Sequence, residues 1–167
     1  MEINEDIWGD TFKKKESINE EDNRFSDFIN KQSNFLKEKT EIEIGVDTFY
    51  TCNTSTIEWF RKRLPKGNKS YSNKLFTHYL YLYHEGNPQK FNLLNIYYDL
   101  KIENCFLIIR FDEPIGSKDA KLIKGDLNKE VLEWIKEYMP SDDIIKYIKS
   151  ILCVIDNKIM FPSFLQS

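Results

Sequence analysis

Between Lys74 and Phe111 the chain carries three apolar and aromatic runs joined by short turn-forming stretches, and this pattern constrains the fold more than any other feature. Residues 75–84 alternate as a strand does, with Leu75, Thr77, Tyr79, Tyr81 and Tyr83 on one face and Phe76, His78, Leu80, Leu82 and His84 on the other. Gly86-Asn87-Pro88 marks a turn. Residues 91–102 form the second run, and Glu103-Asn104 leads to the third, residues 105–111. The third is apolar on both faces, as a central strand is. Three strands joined this way predict an antiparallel meander.

Helical spacing flanks the meander on both sides. Ser17-Ile-Asn-Glu20 reads as a capping box, in which the serine caps the backbone and the glutamate reaches back. The Phe25, Phe28, Ile29, Phe35 and Leu36 stripe then predicts a helix over residues 18–39. Residues 41–46 alternate and read as a short strand or an extended connection. Ser55-Thr-Ile-Glu58 is a second capping box, opening a helix that Pro65 and Gly67 end. Residues 112–125, with Pro114, Gly116 and Gly125, read as loop. Asp126 caps a helix that runs to Met139, and Ser141 opens a last one carrying Ile144, Ile145, Ile148, Ile151 and Leu152. The tail, residues 154–164, suggests a small hairpin around Asp156-Asn157-Lys158.

The expected fold is therefore α+β: N-terminal helices, a central antiparallel β-meander and C-terminal helices. Its core should hold Phe28, Leu36, Phe60, Leu80, Leu107, Ile109, Trp134, Ile135 and Ile148. At 167 residues the chain suits a single domain, 1–167, with residues 1–16 as a short helix or a docked N-terminal arm anchored by Ile3, Ile7, Trp8 and Phe12. With 12 Phe, 9 Tyr and 3 Trp the composition excludes a disordered chain.

Charge and cysteine usage narrow the class. A net charge of −3 argues against a general nucleic-acid binder and suits a basic partner. Cys52, Cys105 and Cys153 form no CxxC pair, so they read as small core residues rather than disulfide or zinc ligands. The N-terminus is acidic, with no apolar stretch of the signal-peptide kind. No run approaches the ~20 apolar residues of a membrane span. A cytoplasmic protein with no membrane contact is expected. The chain has 20 Lys to 4 Arg, 20 Ile, 14 Asn and a single Ala, the residue bias of an A/T-rich bacterial or mobile-element gene.

Chemistry-bearing constellations are sparse. His78 and His84 share a strand face at about 20 Å, too far apart to chelate one metal. A metal-dependent nuclease uses an acid followed by an acid-x-lysine triplet on a strand. Asp99-Leu-Lys101-Ile-Glu103 has part of that pattern without a clear preceding acid. Gly-rich phosphate loops, nucleophile elbows and HExxH are absent. No cofactor is expected.

Two surface features remain. Arg61, Lys62, Arg63, Lys66, Lys69 and Lys74 form a basic cluster, readable as a solvated helix end or as a phosphate contact. Tyr79, Tyr81 and Tyr83, with Tyr97 and Tyr98 on the next strand, read either as a core layer or as interface anchors.

Together these features favour a non-enzymatic inhibitor that binds a protein. Immunity proteins, which neutralise bacterial toxins by covering the active site, have this small, acidic, motif-poor character. Tyr79, Tyr81, Tyr83 and Tyr97 would supply the anchors, and Asp112, Glu113, Asp142 and Asp143 would attract a basic toxin domain such as a nuclease. The alternatives are a phage or mobile-element inhibitor of a host protein, and a metal-dependent nucleic-acid-processing enzyme. In that enzyme Asp99 and Glu103 would hold the ion and the basic cluster the phosphates.

Overall fold

The computed structural model describes residues 24–156. Helix α1 (Arg24–Thr40) turns its apolar stripe inward, burying Phe25 and Ile29 and half-burying Phe28 and Leu36. Glu41, at a φ of 64°, reverses the chain directly into β1 (Ile42–Thr51). The helix also covers the border of this strand. The Ile42 N–H donates to Thr40 Oγ1 at 3.1 Å and the Ile44 N–H to Ser33 Oγ at 2.9 Å. These side chains satisfy edge groups that a sheet otherwise leaves open to further pairing. The extended segment expected at 41–46 thus continues through Gly45 to Thr51. The capping box at Ser17 and the arm over residues 1–16 lie outside the described residues.

Helix α2 (Thr54–Arg63) is capped two residues earlier than expected. Asn53 is the N-cap: its backbone is extended, and its Oδ1 accepts from the Thr56 N–H at 3.1 Å. Ser55 already lies inside the first turn, which leaves it no capping role. Arg61, Lys62 and Arg63 fill the last turn, where cations complement the helix dipole.

Strands β2 (Leu75–His84), β3 (Phe91–Tyr98) and β4 (Cys105–Arg110) form the expected meander. β1 and a short β5 (Lys121–Lys124) extend it into a five-stranded antiparallel sheet of order β1-β2-β3-β4-β5. β5 replaces part of the expected loop; four residues held between Ala120 and Gly125 carry too little pattern to read as a strand. β3 stops at Tyr98 rather than running to 102. There Asp99 turns the chain by accepting the Lys101 N–H on its carboxylate and the Ile102 N–H on its carbonyl. The β2–β3 pairing slips between Leu80 and Tyr81, leaving Leu93 as an extra residue. Leu93 and Leu94 are consequently both buried in one core. The Leu93 carbonyl accepts from the Phe111 N–H and from Tyr138 Oη.

After β5 a single π-helical turn (Leu127–Val131), capped by Asp126 as expected, feeds α3 (Leu132–Tyr138). Helix α4 (Asp142–Asp156) follows. It takes up residues 154–156, where a hairpin was expected to start; the rest of that tail lies outside the described residues. One sheet face packs Ile42, Leu82, Ile96 and Ile108 against α1, α3 and α4. On the other, Ile57, Trp59 and Phe60 of α2 cover Leu75, Tyr97, Leu107 and Ile109. Of the expected core, Phe60, Leu80, Leu107, Ile109 and Ile135 are buried. Phe28, Leu36, Trp134 and Ile148 pack half-buried against the cluster that holds Leu80 and Ile135. The cysteines divide: Cys105 is buried, but Cys52 and Cys153 are exposed because they sit just past β1 and on the outer side of α4. No described helix is long and apolar enough to cross a membrane.

Candidate partner-binding face

Helix α2 roofs only part of its sheet face. Over the C-terminal half of β2 that face carries Tyr79, Tyr81 and Tyr83, none of which joins a buried cluster. Strand alternation brings the three to one side. The Tyr79 and Tyr81 rings stack with centroids 5.6 Å apart, and Tyr81 and Tyr83 follow at 5.7 Å. Across the pairing, β1 places Asp47, Gly45 and Glu43 opposite them, and β3 places Asn95 and Asn92 on the other side.

The row is held in place by its neighbours. A β-carbon at Gly45 would overlap the Tyr81 ring, so any other residue there would have to displace it. Tyr81 Oη donates to Asp47 Oδ1 at 3.3 Å. Lys90 Nζ lies 2.8 Å from Asp47 Oδ2 and 4.4 Å from the Tyr81 ring centroid. The bond to Asp47 raises the Lys90 pKa. Lys37 pairs with Glu43 at 3.3 Å. Burial, and then Glu43, push the Tyr83 hydroxyl up. The Tyr147 pKa is raised by burial and then by Tyr79. Aromatic side chains pinned before binding lose little rotamer freedom when a partner covers them.

Tyr97 is different. It lies in the row Phe49, Thr77, Tyr97, Leu107, whose β3–β4 end α2 covers, and it is 3% exposed. Its ring meets Trp59 edge-on at 5.8 Å, and its hydroxyl accepts from Asn95 Nδ2 at 3.1 Å. It is therefore a core residue and not an interface anchor, because Trp59 occupies the space a partner would need.

The acids do gather, but largely around a cation of their own. Asp112 and Asp143 both bind Arg110 Nη2, at 2.9 and 3.2 Å, and Glu113 accepts the Arg110 N–H at 3.3 Å. Asp142 is exposed in the first turn of α4. The basic cluster disperses. Arg61 donates to the Ser72 carbonyl and Arg63 to the Ala120 carbonyl, tying α2 to the segments that lead into β2 and β5. Lys74 Nζ sits 4.3 Å above the Tyr50 ring, and Lys62, Lys66 and Lys69 are exposed.

Asp99, Lys101 and Glu103 do not form a strand-borne triplet, since all three lie in the turn after β3. Among the described residues no three His, Cys, Asp or Glu side chains converge as a metal cage. His84 approaches Glu41 at 3.5 Å, while His78, on the same strand face, packs into an aromatic cluster. The sequence reading missed Gly45, Asp47 and Lys90 as parts of the tyrosine face. A glycine inside an alternating run was the one available signal, because it marks a place where something large approaches the backbone. No family model, curated protein or solved structure matches the chain.

Proposed function

We propose that the protein binds another protein through the tyrosine face and acts by occupying it. It is an inhibitor of the immunity type, working in the bacterial cytoplasm, and it neutralises a toxin by covering the active site. The observation that carries this reading is the row Tyr79, Tyr81, Tyr83 on the part of the sheet that α2 leaves unroofed. The row spans about 13 Å at 3.3 Å per residue, the scale of an interface centre rather than of a small-molecule pocket. Tyrosine dominates binding energy at such centres because it combines contact area with a polar tip. Asp47, Glu43, Lys90 and Lys37 surround it as the polar rim. The net charge of −3 favours a basic target, such as a nuclease domain.

The test is affinity capture from the native host followed by calorimetry with the product of any neighbouring toxin gene. A 1:1 complex should form, and Tyr81→Ala should weaken it by about 2 kcal/mol or more. Capture that survives alanine at all three tyrosines would overturn the reading. So would metal-dependent cleavage of DNA or RNA by the purified chain without any captured protein.

A further inference from the structure

A cavity of about 450 Å³ opens on the sheet face that α1, α3 and α4 cover, away from the tyrosine row, and the reading above does not use it. Its wall is aromatic. His78 and Tyr98 lie 5.4 Å apart, Phe25 lies 5.8 Å from His78, and Phe106 lies 4.9 Å from Tyr98. Its remaining charged lining is acidic: Asp99, Glu103 and Asp126, with no lysine or arginine among the lining residues.

The roles of these groups separate. His78 is engaged at both nitrogens, with Thr48 Oγ1 at Nδ1 and Tyr98 Oη at Nε2, each at 3.0 Å. Burial lowers its pKa to about 4, so at neutral pH His78 adds no positive charge to the wall. Asp99 is buried, which alone would raise its pKa. Ser70 Oγ, the Lys101 N–H and Ser72 Oγ overcome that and hold it ionised. Its hydrogen-bonding capacity is spent internally, but its charge remains in the wall. Glu103 is exposed and has no hydrogen bond or ion pair among the described residues. Asp126 accepts the Asn128 N–H on Oδ1, leaving Oδ2 available.

We infer that this cavity binds an organic cation, an ammonium or guanidinium group lying against Tyr98 and Phe106 and met by the carboxylates of Glu103 and Asp126. Ring faces attract cations through their quadrupoles, and the attraction grows as water is displaced. Carboxylates add charge-assisted hydrogen bonds that a guanidinium or ammonium can donate to. A bare metal ion fits less well, since ring carbons offer it no ligands and no three donors converge. A neutral apolar ligand would leave the carboxylates desolvated without a partner. The volume lies within the range of small-ligand sites, roughly 300 to 1,000 Å³. The inference stands apart from the tyrosine face, which lies on the other side of the sheet.

The experiment is an NMR titration of the full-length, ¹⁵N-labelled chain with ethylguanidinium, tetramethylammonium and the neutral isostere ethylurea. Saturable shifts are expected at Phe25, Asn104, Phe106 and Asn128. The cations should bind at least about tenfold more tightly than ethylurea. Glu103→Gln combined with Asp126→Asn should weaken the cations about fivefold or more, and the Asn retains the helix cap. Tyr81→Ala should leave the titration unchanged, which separates failure here from failure of the tyrosine face. An acetyl-Gly-Arg-Gly-amide peptide that binds like ethylguanidinium would place the natural cation on a protein surface; binding confined to the free cations would assign a small molecule. Equal binding of ethylurea, or no saturable shift up to about 50 mM of either cation, would overturn the inference.

Discussion

Gly45 of β1 lies directly across from Tyr81 of β2, and the space a β-carbon would take at position 45 is filled by the Tyr81 ring. The glycine therefore fixes where the tyrosine lies. With the end of the ring over position 45, its hydroxyl reaches Asp47 and its face meets Lys90.

Gly45→Ala should cost about 1 to 3 kcal/mol in urea denaturation, because a methyl group there must displace an aromatic ring. In a Tyr81→Ala background the same substitution should be neutral or slightly stabilising, since alanine restricts the unfolded chain more than glycine does. A double-mutant cycle reads the difference; additive effects would show that the ring does not occupy this space.

His78 makes stability depend on acid. Its folded pKa of about 4 lies below the ordinary histidine value of 6.5, so between those values the unfolded chain binds the proton and the folded chain resists it. Stability should be intact above about pH 6.5 and fall as the pH drops toward 4, by up to about 3 kcal/mol. His78→Gln should flatten this part of the profile. Urea midpoints measured across the window, with an NMR titration of the ring, check both the sign and the residue.

The cap of α2 separates two serviceable-looking residues. Asn53→Ala should destabilise the protein by about 1 kcal/mol through loss of the bond to the Thr56 N–H. Ser55→Ala should stay within about 0.5 kcal/mol. Thermal denaturation of the two variants distinguishes them, and equal losses would return the capping role to Ser55.

The meander was legible because residues 75–84 and 105–110 combine strand periodicity with turn residues at their ends, signals that local backbone chemistry sets. The helix stripe of Phe25, Ile29 and Leu36 was legible for the same reason. What failed was information held by tertiary partners. Tyr97 has the same pattern as Tyr79 and Tyr81, and only the position of Trp59 consigns it to the core. Asp112 and Asp143 read as surface charge, yet they are 31 residues apart in sequence and share Arg110. The strand end at Tyr98 depends on where Asp99 sends its carboxylate, and two of its donors come from Ser70 and Ser72. Of the candidate site, the tyrosines were visible and their orientation was not, since Gly45 acts from another strand.

Every strand of this sheet is bonded to its neighbour in the chain, and three of the four connections lack an intervening helix. Closing short loops in succession costs little chain entropy at each step, a topology that favours rapid assembly of the sheet. The bond from the Phe25 N–H to Asn128 Oδ1 is of the opposite kind: it joins residues 103 apart and requires the whole meander to be in place. A contact that forms after the rate-limiting barrier holds the native state closed without helping to reach it. Asn128→Ala should accordingly steepen escape from the folded state, raising the unfolding arm of a chevron plot while leaving the refolding arm where it was.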